Sequence, residues 1–308
     1  IAKNPKKLIY YFMIQKIDLK TRKVLHKIHV NRIKNKKGLK RVSKYIDTKT
    51  LGLSKNFFKD KLCGEFGCGS HGGGAFNMLN LGSKFVHLLD VDKNIKNGVK
   101  KHLKNFKDKH KVHIGSVDNL PFKNNYFDFV NCSGVIHHIE KPYKAFKEIN
   151  RVLKKNATAL IVIHGAGGIM TRFTMEILRD EYYKSKFSKR ILDEIMDGKL
   201  KKYLSLFKNN LDKKNFLTVK KILGLLNDND LRMTIKDRIL SPKYDLYDEK
   251  ILKKKLYSIG FKNFKRTPIK PKFQNIRDLL VPFYYKYGHD LSKFIYGDGQ
   301  IRFTIQKK

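Results

Sequence analysis

Tryptophan is absent from this 308-residue chain, cysteine occurs three times, proline seven times, and acidic residues number 27 against 68 lysines and arginines. Each shortage excludes something. Three dispersed cysteines, Cys63, Cys68 and Cys132, cannot form the framework of a disulfide-stapled domain and fit a reducing compartment, so a cytoplasmic protein is expected. They show no C-x-x-C spacing and no accompanying histidine cluster, so no metal site is expected. Scarce proline beside 41% hydrophobic and 12% aromatic residues excludes a disordered or collagen-like chain. No run of about 18 apolar residues occurs, which excludes a membrane-spanning helix. The basic, interrupted apolar stretch after Ile1 lacks the core and small-residue cleavage site of a signal peptide.

What is present in excess is positive charge, +41 in total. A field of that size attracts nucleic acid, anionic lipid headgroups or acidic substrates. The excess is mostly lysine, and it accompanies abundant Asn, Ile, Phe and Tyr, the pattern an AT-rich genome imposes. Arginine, the residue suited to bidentate phosphate recognition, is a minority. Composition leaves both readings open.

Along the chain, residues 1–60 read as a basic helical extension with an apolar face of Ile9, Tyr10, Phe12, Met13 and Ile17, followed by Leu25, Ile28 and Ile33. Residues 61–165 alternate short apolar runs with helical patterns. Strands are predicted at 62–66, 85–90, 112–115, 127–132 and 157–164, with helices at 75–81, 93–106 and 143–153. Strands alternating with helices of about ten residues indicate βαβ units and a parallel sheet. Residues 166–246 show helical pattern without a strand, too long for a bare loop, and read as a helical cap or substrate insertion. Residues 247–308 complete the sheet through a helix at 248–259, a strand at 261–266 and a last strand at 300–306. An aromatic-rich stretch at 268–296 lies between the last two. The expected fold is α/β, Rossmann-like and doubly wound, with a mostly parallel seven-stranded sheet.

The turn Glu65-Phe66-Gly67-Cys68-Gly69-Ser70-His71-Gly72-Gly73-Gly74 follows a strand and opens a helix. Glycines there allow a sharp bend and close approach of a ligand, and a helix start adds free N–H donors. Asp90 closes the second strand, about 25 residues on, where a carboxylate can accept hydrogen bonds from a ribose diol. Asp90 also reads as a helix cap or turn residue.

Further blocks follow in order: Leu120-Pro121-Phe122, Phe127-Asp128-Phe129-Val130, Gly134-Val135-Ile136-His137-His138 and Glu148-Ile149-Asn150-Arg151-Val152-Leu153. With the glycine turn and Asp90, these make the chain resemble the class I S-adenosylmethionine-dependent methyltransferases of the type 11 group. The resemblance is strong over about residues 60–165 and weak over 247–267. It implies that Glu65, Gly67, Cys68 and Gly69 line the methionine part of the cofactor and that Asp90 holds the ribose. Two departures stand out. His71 occupies the family's third-glycine position, which implies a loop one residue longer. Ser116 and Val117 stand where the family has an acid that reads the adenine, so Asp118 or the Val117 backbone would take that contact. Cys132 falls at the end of the fourth strand, beside the position of the reacting methyl.

The reaction so implied is an in-line methyl transfer needing alignment, exclusion of water and, for a protonated nucleophile, a base. Candidates for that base are His137, His138 and His164, since imidazole titrates near neutrality; the paired histidines also read as packing residues. Cys132 as a nucleophile would need a preceding proline of the RNA cytosine C5 enzymes, and Asn131 stands there, so a small buried residue is the better reading. Substrate contacts are expected from Arg172, Arg238, Tyr244, Tyr247, Tyr284 and Tyr285, each of which also reads as core or solvated helix face. The expected substrate is a small or lipid-like metabolite. An RNA substrate, a non-catalytic cofactor-binding protein and peripheral contact with anionic membrane are the alternatives, and the basic N-terminal helices could pair subunits.

Overall fold

The structure is a computed structural model that describes residues 23–24, 46–227, 229–267 and 290–308. The apolar N-terminal face and the tyrosines Tyr284 and Tyr285 fall outside the described residues. The rest divides into two compact units. The first comprises the described residues up to 166, with 242–267 and 300–308; the second comprises 167–241 and 290–299.

The first unit is built on seven strands: β1 (Leu62–Phe66), β2 (Phe85–Asp90), β3 (His110–Ile114), β4 (Phe127–Ser133), β5 (Leu153–His164), β6 (Phe261–Arg266) and β7 (Gln300–Lys307). Their order across the sheet is β3-β2-β1-β4-β5-β7-β6. Strands β1 to β5 pair in parallel, and β7 inserts antiparallel between β5 and β6. The expected mostly parallel, seven-stranded sheet is therefore present. Strand order reverses between β1 and β4, and in open α/β sheets the ligand crevice lies outside the strand ends at such a switch point.

Central strands buried on both faces must be apolar at consecutive positions. That explains Phe129-Val130 in β4 and Ala159 to Ile163 in β5, all at or below 1% exposure. One face packs against α1 (Thr48–Leu51), α2 (Gly73–Asn80) and α3 (Ile95–His102) through Leu51, Met78, Val99 and the ring of Phe58. The other packs against α4 (Pro142–Val152) and a later helix (Glu249–Ile259) through Phe146, Ile149, Leu252 and Leu256. Asp47 caps α1 by accepting from Lys49 and Thr50 N–H, and Gly52 ends it in the left-handed region.

Two expected element boundaries move by more than two residues. The predicted helix over 93–106 stops at His102 and tightens into a 3₁₀ stretch, Lys104–Lys109, with a non-helical kink at Phe106. Strand β5 begins four residues early because Leu153 pairs with Phe127 while Thr158 pairs with Phe129, leaving the intervening lysine-rich residues as a bulge.

The second unit is helical: α5 (Ile169–Arg172), a π-turn (Phe173–Ile177), α6 (Leu178–Lys184), α7 (Lys186–Met196), α8 (Leu204–Lys208), α9 (Lys213–Leu226) and α10 (Asn229–Leu240), after which the Glu249–Ile259 helix of the first unit is α11 and Asp290–Tyr296 is α12. The helix at Asp290–Tyr296 belongs to this unit, with backbone at Tyr296 and Gly297 lying close to Gly168. Its buried cluster is small: Tyr182, Leu192, Met196 and Ile239, with Leu178, Ile195, Ile235 and Leu240 packed around them.

Candidate active site

The bend after β1 is fastened to the end of β2. Gly67 and Cys68 N–H both donate to Leu89 O, at 2.7 and 3.2 Å, and Gly69 N–H donates to Asp90 Oδ2 at 2.9 Å. Gly67 and Gly69 take φ of +73° and +59°, which the bend requires and side-chain-bearing residues rarely adopt. Asp90 Oδ1 accepts from Asp92 N–H at 3.0 Å. Each carboxylate oxygen thus holds one backbone donor and keeps acceptor capacity for a hydroxyl. Burial raises the Asp90 carboxyl above its ordinary range, opposed by these backbone N–H bonds.

Glu65 works inward. It is 5% exposed, and its two oxygens accept from Gly74 N–H at 2.8 Å and Ala75 N–H at 2.7 Å, the start of α2. Carboxylate against helix N–H groups and the positive end of the helix is a stabilising pairing. Burial nonetheless pushes the carboxyl up to about 7, the two N–H bonds pulling it down and Asp90 adding a smaller upward push. Space for this arrangement depends on Gly74, where a Cβ would come within 2.6 Å of both Glu65 Oε1 and Asn131 Nδ2.

The residues fit a nucleoside cofactor. A Cβ at Gly69 would meet nothing nearer than His71 Cε1 at 3.9 Å, and one at Gly134, after β4, would meet nothing within 4 Å, so both turns leave open space. The Ser70 hydroxyl, in the same bend, is buried with no hydrogen-bond partner among the described residues. The helix begins at Gly73, with left-handed Gly72 before it, which accommodates the lengthened loop. On the adenine side, Val117 is 3% exposed within the core and Asp118 is half-buried, so a backbone contact suits Val117 better than a side-chain one.

The expected base candidates converge. His137 and His138 lie in a 3₁₀ turn after β4 and His164 ends β5. The ring centroids are 4.7 Å apart for His137–His164 and 4.2 Å for His137–His138. Tyr244 joins them, at 5.0, 5.1 and 5.2 Å from His137, His138 and His164. Backbone pairing places that tyrosine: Asp245 N–H donates to His137 O and Tyr247 N–H to His164 O, at 2.8 and 3.0 Å. His138 Nδ1 lies 2.9 Å from Lys243 O, and because a carbonyl only accepts, Nδ1 carries the proton. His137 and His138 are buried, whereas His164 and Tyr244 are half-buried. Tyr247 is buried, its hydroxyl has no partner among the described residues, and burial raises its phenol well above the usual range.

Cys68 and Cys132 are buried, and burial pushes both thiols up, away from thiolate. Within the second unit, Arg172 is exposed and paired with Glu176. Arg238 is buried there, donating to Thr174 Oγ1 at 2.6 Å.

In the sequence Ser70, Asn131 and Gly134 read only as parts of the glycine turn and of the end of the fourth strand, not as site residues in their own right. Asn131 is buried and accepts from Ser133 Oγ at 2.6 Å. A polar amide directly after the apolar Phe129-Val130 pair of β4 was the signal available for it. The recurrent blocks also have a structural reason. Arg151 donates to Leu120 O and Phe122 O at 3.0 and 2.7 Å while Glu148 accepts Leu120 N–H at 2.8 Å, clamping the Leu-Pro-Phe loop. Asp128 ties Leu62 N–H to Lys154.

Comparison with known proteins agrees with this geometry. Residues 64–161 match the family described as a methyltransferase domain. An uncharacterized protein of Methanocaldococcus jannaschii is 35% identical over 105 residues, covering 34% of this chain and 41% of that protein. The uncharacterized methyltransferase YcgJ of Bacillus subtilis is 38% identical over 52 residues, covering 17% of this chain and 21% of that protein. The matches therefore span less than half the length of these curated relatives. Among solved structures, PKMT2 from Rickettsia typhi, determined in complex with AdoHcy, superposes with a TM-score of 0.52 at 17% identity, over 84% of this chain and 51% of that one. This likeness is one of fold.

Proposed function

We propose a methyl-transfer reaction for this chain, which belongs through residues 64–161 to the class I S-adenosylmethionine-dependent methyltransferases of the type 11 group. The observation that carries the reading is the meeting of Gly69 N–H, in the bend after β1, with the Asp90 carboxylate at the end of β2, beside the switch point of the sheet. Asp90 would hold the ribose hydroxyls, the Gly67–Gly69 bend would admit the methionine part, and Glu65 would act by holding the start of α2 against the crevice. When bound, S-adenosylmethionine supplies an electrophilic methyl group on a sulfonium.

The chain's own residues then have two tasks. The rim of β4 and β5 positions the acceptor, and a base removes its proton. His164 suits that role best: it is half-buried, whereas His137 is buried and His138 is tied to Lys243 O. Tyr244 would wall the acceptor and His137 would orient His164. The polar rings gather within about 5 Å of one another, a compact group that favours a small metabolite as acceptor. The +41 charge favours RNA as the second reading. Three free thiols make the cytoplasm the location in keeping with either, and no helix among the described residues is long and apolar enough to cross a membrane.

The test is calorimetry with S-adenosylmethionine and S-adenosylhomocysteine, followed by transfer of a labelled methyl into a metabolite extract and into RNA. Asp90→Ala is expected to weaken cofactor binding by about ten- to hundredfold, the loss of charge-assisted hydrogen bonds of roughly 1.5–3 kcal/mol. His164→Asn is expected to lower labelled turnover while leaving that affinity unchanged. Absence of binding by the unmodified protein refutes the donor assignment, and binding without transfer to either pool leaves a non-catalytic binder.

A further inference from the structure

We propose that the flank formed by α3, the following 3₁₀ turn and the edge strand β3 is a docking surface for the phosphodiester backbone of RNA. Residues 96–109 carry six lysines, Lys96, Lys100, Lys101, Lys104, Lys107 and Lys109, against a single carboxylate, Asp108. Ile95, Val99 and Leu103 turn inward, at 0–1% exposure, so this stretch presents its lysines outward, and all six are exposed. None of the six forms an ion pair with another described residue. In the helical unit Lys184, Lys189, Lys202 and Lys236 each meet a carboxylate, while Lys213, Lys214, Lys220 and Lys221 form no ion pair with another described residue.

The chemistry of the patch selects its partner. Lysine heads are point charges on flexible stems that neutralise phosphates without the planar fork that reads a base edge. Ile114, at the end of β3, is the one large apolar side chain exposed on this flank among the described residues, short of the apolar face that a lipid surface would take up. In the reducing compartment expected of three free thiols, RNA is the abundant polyanion. Strand β3 is separated from β4 by β2 and β1, three strand spacings or roughly 14 Å. The flank therefore lies toward the Asp90 side of the switch point, away from the histidine rim, and RNA can dock there without being the methyl acceptor. The inference goes beyond the proposed reaction and stands without it.

The test uses fluorescence anisotropy of the full chain with a labelled 20-nucleotide single-stranded RNA across a salt series, beside DNA of the same sequence and vesicles of phosphatidylcholine with phosphatidylserine. One variant replaces Lys96, Lys100, Lys101 and Lys104 by glutamine. A control of equal charge change replaces Lys141, Lys144, Lys147 and Lys155, exposed lysines at α4 and the β5 bulge. The first is expected to lose tenfold or more in RNA affinity near physiological salt and about 3 from the slope of log affinity against log salt, at about 0.7 per phosphate contact. The control is expected to move the slope by less than about 1. Both variants should unfold at the temperature of the unmodified protein. Equal losses in the two variants would show a diffuse field and overturn the proposal. So would tighter binding to DNA or vesicles than to RNA, or unchanged affinity in the first variant.

Discussion

The sheet unit and the helical unit solve the problem of burial differently. The sheet unit threads consecutive apolar residues through strands covered on both faces, and Phe129 is enclosed by the rings of Phe57 and Phe58 at 5.9 and 4.9 Å. The helical unit buries a cluster of four residues, and eleven of the thirteen large hydrophobic side chains exposed among the described residues lie in it. Its helices depend instead on local devices: i,i+4 ion pairs, the Ser185 cap, and Tyr182 bonded to Asp193. Stability follows buried apolar area. The sheet unit therefore holds the rigid geometry that a cofactor needs, and the helical unit is the part expected to open first.

The largest effect should come from breaking the sheet unit's centre. Phe129→Ala is expected to cost about 4 kcal/mol through lost burial and an unfilled cavity, while Leu192→Ala in the helical unit should cost about 2 kcal/mol. Hydrogen exchange read by segment checks this: the first variant should raise exchange throughout β1, β4 and β5, the second only within residues 167–241. Equal spread of both effects would mean that the two units open as one.

Next in size is a pH effect located in the cofactor bend. The Glu65 carboxyl, lifted to about 7 in the folded chain from an ordinary 4.5, binds its proton more tightly folded than unfolded. Its stabilising contribution is therefore full below about pH 4.5 and is lost as pH rises through about 7. Relative to Glu65→Gln, which has no titration, the unmodified protein should lose about 3 kcal/mol of its advantage between pH 4 and pH 8, measured by denaturant unfolding. A flat difference would mean that the Gly74 and Ala75 N–H bonds fully offset burial. The smallest effect belongs to the exposed Arg172–Glu176 pair, where Arg172→Ala should change stability by under about 0.5 kcal/mol in the same assay.

Much of the sheet unit was legible beforehand. Strands at 62–66, 85–90 and 261–266 and the helix over 143–153 follow from apolar spacing, because burial on one or two faces leaves a period in the sequence. The bulge at the start of β5 left no such mark, since its lysines and Asn156 are exposed and the pairing shift arises between strands. In the site, Asp90 and the glycine bend could be read because bends and strand ends demand particular residue types. The roles of Glu65 and Tyr244 could not be read in the same way. Glu65 is occupied by α2, and Tyr244 meets three histidines only because residues 243–247 pair beside the end of β5.

Sequence alone determined the parallel sheet, the glycine bend and its carboxylate, and the excess of positive charge, since each is a property of neighbouring residues or of composition. Tertiary structure decided which lysines lack partners, which carboxylate faces inward, and which of three histidines is accessible. Those depend on residues far apart in the chain meeting in space, and local pattern carries no record of such meetings.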